Sequence, residues 1–193
     1  VELWFDGTLS PAATAWWWST GESIWGANVD YTVRCKAKDD AGNWQSVLVS
    51  TNTFKYDPNP PTSAPSVPQD GVYYRTLSSL EGTSDDDGAL GSGVSKVWVR
   101  LARLTNPTTT YYWNWLTAWD TNETNKTNAN APFDNWTKSA SGITWDSGNK
   151  YKIQCWAEDQ ATNVESPGAG NIFYYDNVKP TSTVSVPVDN ACY

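Results

Sequence analysis

"YTVRCKAKDDAGNW" at residues 31–44 returns as "YKIQCWAEDQATNV" at residues 151–164. Tyr31 aligns with Tyr151, Cys35 with Cys155, Ala37 with Ala157, Asp39 with Asp159, Ala41 with Ala161 and Asn43 with Asn163, at a constant spacing of 120 residues (31 to 151). Trp25 and Trp145 keep that spacing, as do Trp16 and Trp136. A second block, "FKYDPNPPTSAPSVPQDGVYY" from Phe54, returns as "FYYDNVKPTSTVSVPVDNACY" from Phe173 at a spacing of 119 (54 to 173). The slip of one residue reads as a change in loop length. Within each copy the residues alternate as in a strand with one buried face. Tyr151, Ile153, Cys155 and Ala157 point one way, and Lys152, Gln154, Trp156 and Glu158 the other. Tyr31, Val33, Cys35 and Ala37 do the same in the first copy, so both cysteines face a core.

A repeat of about 120 residues has the size of a β-sandwich domain and is too long for a solenoid coil. Residues 1–57 then read as the C-terminal part of one repeat, 58–177 as a complete repeat, and 178–193 as the first strand of a following one. "VSKVWVRLARL", with Val97, Val99 and Leu101 alternating with Lys96, Trp98 and Arg100, predicts a strand near the middle of a sheet. "DDDGALGSG", "NPTTT", "DSGN" and "DDAGN" supply the turns. The proline-rich "YDPNPPTSAPSVP" and "YDNVKPTSTVSVP" mark the repeat boundary, because proline fixes φ and restrains its predecessor. Such linkers are semi-rigid and predict a rod.

Composition agrees with an all-β class. The 193 residues are 39% hydrophobic, 14% aromatic and 18% charged, enough apolar material for a core and too little charge for a coil. Thr, Ser, Asn, Asp and Gly dominate, which favours short strands over helices. A net charge of −8 with no basic cluster argues against nucleic-acid and anionic-membrane partners. No apolar run reaches the ~20 residues of a membrane-spanning helix. The chain contains no histidine, which removes Ser-His-Asp and Cys-His catalysis and the usual Cys/His zinc sites.

The pattern Tyr-x-Val/Ile-x-x-x-Ala-x-Asp-x-Ala-Gly-Asn resembles the penultimate strand and hairpin of bacterial immunoglobulin-like repeats, as found in tandem in large surface and extracellular proteins. "GTSDDDGALGSGVSKVWVRL" is similar to the early strands of those domains, and "YDPNPPT" to their junctions. The resemblance implies tandem immunoglobulin-like β-sandwiches joined by proline-rich linkers, exported to the cell surface, with a structural or adhesive role and no chemistry. In this reading the tyrosines brace a corner, and Asp39 and Asp159 accept backbone N–H groups in the turn that follows. Thr162 stands where Gly42 supplies φ > 0, so the two hairpins are expected to differ in geometry.

Several residues invite a functional reading. Asp57, Asp85, Asp86 and Asp87 offer hard oxygen donors to calcium, although their spacing is not that of an EF-hand, and a solvated loop is the simpler reading. A glycosidase pair would need burial to raise one carboxyl pKa, and these lie in Gly-rich turns. Trp113, Trp115 and Trp119 alternate and suggest either an exposed platform for sugar rings, as in a carbohydrate-binding module, or an aromatic ladder. Asn122, Asn125 and Asn135 are glycosylation sequons. Cys192 aligns with Tyr73, so no disulfide recurs in every repeat. Copies joined head to tail by strand complementation could bring Cys192 of one to Cys35 of the next; a window on a longer chain is the other reading.

Overall fold

The computed structural model describes residues 7–9, 16–17, 24–46, 50–106 and 109–186. The chain is mostly strand, with no α-helix among these residues and a short 3-10 turn at Phe133–Asn135. None of its described helices is long and apolar enough to cross a membrane. Chain contacts divide it into two units: residues 1–59 with 90–92, and residues 60–89 with 93–193.

In the first unit β1 (Thr8–Leu9) pairs with β2 (Trp16–Trp17), and β3 (Val29–Cys35) pairs antiparallel with β4 (Ser50–Tyr56). Side chains of Trp16 and Trp17, and Trp18 altogether, lie outside the described residues.

The second unit is a β-sandwich. Its smaller sheet has the order β12 (Trp136–Ser139), β7 (Ser79–Asp85), β5 (Thr62–Val67). The larger has the order β10 (Trp119–Asp120), β9 (Thr109–Trp113), β8 (Val94–Asn106), β13 (Asn149–Asp159), β14 (Asn171–Tyr175), β6 (Tyr73–Tyr74), with β11 (Thr127–Asn128) also on β8. Thus "VSKVWVRLARL" is interior to its sheet. Leu80 and Trp136 from the small sheet meet Val97, Val99, Leu101, Tyr151, Ile153, Cys155 and Phe173 from the large one in a shared core. Alternation in β13 is as the sequence predicts, save that Trp156 on the outer face is also buried. Trp98 stands beside it and the cations of Lys126 and Arg100 lie over its ring. Burying a side chain the size of Ile153 or Phe173 contributes about 1.5–3 kcal/mol, and that term holds the sheets together. Residues 176–186 form no strand.

Both units carry the same local structure around the repeated tyrosine. Tyr31 Oη accepts the N–H of Gly26 (2.5 Å) and Tyr151 Oη that of Asp146 (2.9 Å), five residues upstream in each case. Trp25, Tyr31 and Phe54 form an edge-on indole against a stacked pair, and Trp145, Tyr151 and Phe173 repeat it. In the turns, Asn43 donates its backbone N–H (2.8 Å) and side-chain amide (2.9 Å) to Asp39, and Asn163 donates both (2.8 Å each) to Asp159.

The expected divergence of the hairpins is therefore corrected. Thr162 sits at φ +72° where Gly42 sits at φ +91°, with the same closing bonds. The paired carboxylate and amide fix the turn so firmly that a β-branched residue is carried into the left-handed region.

Candidate functional site

Asp85, Asp86 and Asp134 lie together at one corner of the second unit. β7 finishes at Asp85, and the loop to β8 turns back through Asp87 (φ +49°) and Gly88 (φ +61°). Asp85 Oδ2 accepts the Gly88 N–H (3.1 Å) and Asp86 Oδ2 that of Gly93 (2.6 Å). Ser84 Oγ donates to the Phe133 carbonyl (2.7 Å), which ties the 3-10 turn to the same corner. Between them lies a cleft of about 220 Å³ lined by Asp85, Asp86, Asp134, Ser84, Gly93 and Phe133.

The four expected calcium ligands differ in burial, Asp57 and Asp86 being buried and Asp85 and Asp87 exposed. Asp57 belongs to the first unit, where its carboxylate accepts the N–H groups of Asn59 (3.2 Å) and Ser92 (2.7 Å). Asp85 and Asp87 are exposed. Asp86 is 3% exposed, so the reading of the whole acidic run as a solvated loop is corrected. Its carboxylate oxygen lies within 4.8 Å of one on Asp159, itself 1% exposed. Asp159 was legible as a turn residue through its repeat of Asp39, but folding alone brings it beside Asp86. Two such groups are oxygen donors suited to a hard cation, which takes about six to eight oxygens in the case of calcium. Each also braces its own loop by the bonds above.

A half-buried polar set, Ser63 and Glu165, meets the buried Cys155 where β5 passes over the large sheet. Ser63 Oγ donates to Glu165 Oε2 (2.6 Å) and stands 3.3 Å from Cys155 Sγ, while the Ser63 N–H donates to Glu165 Oε1 (3.0 Å). Glu165 Oε2 also accepts the Ala157 N–H (3.0 Å). Burial pushes the Cys155 thiol up to about 11, against the weaker lowering effect of the Ser63 bond. It is a protonated packing group at neutral pH. Cys35 is half-buried with a free thiol, and Cys192 lies outside the described residues, so the expected cross-link has no geometry here.

The exposed tryptophan platform is corrected. Trp113 and Trp119 are partners across the β9–β10 pair and contact edge-on (5.4 Å). Trp113 is buried, Trp115 and Trp119 pack against the core, and Trp119 Nε1 donates to the Thr144 carbonyl (2.9 Å). Of the sequons, Asn122 and Asn135 are exposed, whereas Asn125 is half-buried with its amide donating to Asp120 (2.6 Å).

In turn-bound electrostatics, the Asn43 side chain and then its backbone N–H hold the Asp39 carboxyl below its ordinary value. The Val178 N–H, then Ser147, do the same to Asp176. No protein-family model and no curated protein matches this chain.

Proposed function

We propose that the chain is a segment of tandem immunoglobulin-like repeats from an exported microbial surface protein, serving as a structural, non-catalytic part of a rod, filament or adhesin stalk. The observation that carries this reading is the parallel pairing of β6 with β14. The chain enters the second unit through β5 in the small sheet, crosses to β6 in the large sheet, and leaves through β14. Tension applied along the chain slides these two parallel strands past one another. It therefore loads their hydrogen bonds together: Gly71 N–H to Ile172 O (2.6 Å), Tyr174 N–H to Val72 O (2.9 Å) and Asp176 N–H to Tyr74 O (2.9 Å). Tyr73 and Tyr174 stack across the pair (4.5 Å). Bonds loaded in shear break as a group, whereas an antiparallel hairpin pulled at its open end unzips singly.

Sheet order supports the immunoglobulin-like assignment. β12-β7-β5 against β10-β9-β8-β13-β14 corresponds to the E-B-A and C″-C′-C-F-G order of such sandwiches, and Tyr151 provides the tyrosine corner. Pro58, Pro60 and Pro61 would stiffen the junction before it. Immunogold labelling of the producing cells with antibodies to this chain tests the proposal. Label on surface fibres or stalks is the expected result; label confined to the cell interior contradicts it.

A further inference from the structure

In the second unit the outer face of the large sheet collects cations that the sequence keeps apart. The register sets Lys96, Trp98 and Arg100 of β8 opposite Glu158, Trp156 and Gln154 of β13, and Ala102 opposite Lys152. Lys150 follows on β13 opposite Tyr174, and Tyr112 of β9 stands beside Ala102. Lys126, just before β11, reaches over the same face, its ammonium 4.4 Å from the Trp98 ring and 5.3 Å from that of Trp156. The Lys96 ammonium is 4.8 Å from the Trp98 ring, and the Arg100 guanidinium lies near both Trp156 (5.6 Å) and Tyr112 (5.7 Å).

These contacts fix positive charge without cancelling it. A ring quadrupole attracts a cation but carries no net charge. Gln154 Oε1, a neutral acceptor, takes two N–H groups of Arg100 (2.9 and 3.2 Å). Among the described residues the face carries five cations, Lys96, Arg100, Lys126, Lys150 and Lys152, against three carboxylates. Those are Glu158 on Lys96 (3.0 Å), Glu123 on Arg100 (3.3 Å), and Asp120, which pairs with Tyr112 across β9–β10 and holds the Asn125 amide (2.6 Å). The face is thus positive in a chain whose net charge is −8. No run of basic residues announces it, because the register of β8 and β13 is what brings these side chains together.

We infer that this face binds an acidic polysaccharide of the uronic-acid type. Its carboxylates pair with Lys126, Lys152 and Lys150, its hydroxyls meet Gln154 and Glu158, and the half-buried rings of Trp98 and Tyr112 take the C–H faces of the sugars. Spacing favours a glycan over a nucleic acid. Successive cations on one strand here are two or four residues apart, about 7 or 14 Å. Phosphates on one DNA strand recur every ~3.4 Å. The carboxylates of the face argue the same way, since Glu158 accepts a sugar hydroxyl and repels a DNA strand, which has no hydroxyl to offer. The inference goes beyond the stalk reading by giving this unit a ligand of its own.

The test is calorimetric titration of the full chain with polygalacturonate in calcium-free buffer of low ionic strength, beside the fully methyl-esterified polymer, oligo(dT) and phosphatidylglycerol vesicles. Binding to polygalacturonate is expected, with loss on esterification and weakening as salt is added. Lys126→Glu, at an exposed position, should weaken it about fivefold or more. Lys179→Glu makes the same change in net charge outside the sheets and should leave it unaltered. No binding, equal binding of the ester, or equal weakening by the two charge reversals overturns the inference. So does tighter binding of oligo(dT) or of the vesicles. A mass that rises with concentration in light scattering, and ceases to do so in Lys126→Glu, would assign the face to a second copy and also overturn it. The immunogold experiment decides the surface location separately.

Discussion

Thr162 shows how a turn can overrule the preference of the residue within it. Its φ of +72° costs roughly 1–3 kcal/mol for a non-glycine residue, and the two hydrogen bonds that Asn163 donates to Asp159 hold it there. Thr162→Gly should therefore stabilise the second unit by about 1 kcal/mol in urea denaturation, after allowance for the greater chain entropy of glycine. Gly42→Thr should destabilise the first unit. The Asp and Asn of this turn are legible in the sequence, whereas local preference alone misjudges the threonine between them. Cys155 provides a second check at this scale. Its thiol is raised from 9.0 to about 11, chiefly by burial, so it should resist an aromatic disulfide reagent at pH 8 until the protein unfolds. The neutral thiol is the form that the fold favours. Its contribution to stability is present in full below pH 9 and is lost as pH rises from 9 through 11.

Among the elements, β7 and β12 pair with Gly82 facing Trp136. The fully buried indole lies over the glycine and donates Nε1–H to the Thr83 carbonyl (3.2 Å), and a Cβ on residue 82 would collide with the indole and with the Ala64 carbonyl. Gly82→Ala should lower the stability of the second unit by about 3 kcal/mol, read as a fall in the urea midpoint with unchanged slope. The two-residue period makes β8 and β13 legible in the sequence, because a long strand with one buried face writes its geometry into every second side chain. The tryptophans of 113–119 are not legible in that way. Their spacing suggests one face of a continuous strand, but Asn114 Oδ1 gathers the N–H groups of Leu116, Thr117 and Ala118 into a turn. Trp115 is forced to φ +61°, and Trp113 and Trp119 become cross-strand neighbours facing the core. A side-chain cap thus converts an apparent surface row into packing.

For the whole molecule, the spacing of 119–120 residues carries more information than any single motif. It anticipates duplicate tyrosine corners and duplicate Asp–Asn turns, and the acidic pair Asp86–Asp159 lies beyond it because that pair joins residues far apart in the chain. Whether the second unit bears tension along β6 and β14 is decided by pulling a single chain through its two ends. The account predicts that the second unit opens in one cooperative step, with a length gain of about 35 nm for the roughly 100 residues between those strands at ~0.36 nm each. Gradual lengthening at low force, with no such step, would contradict it.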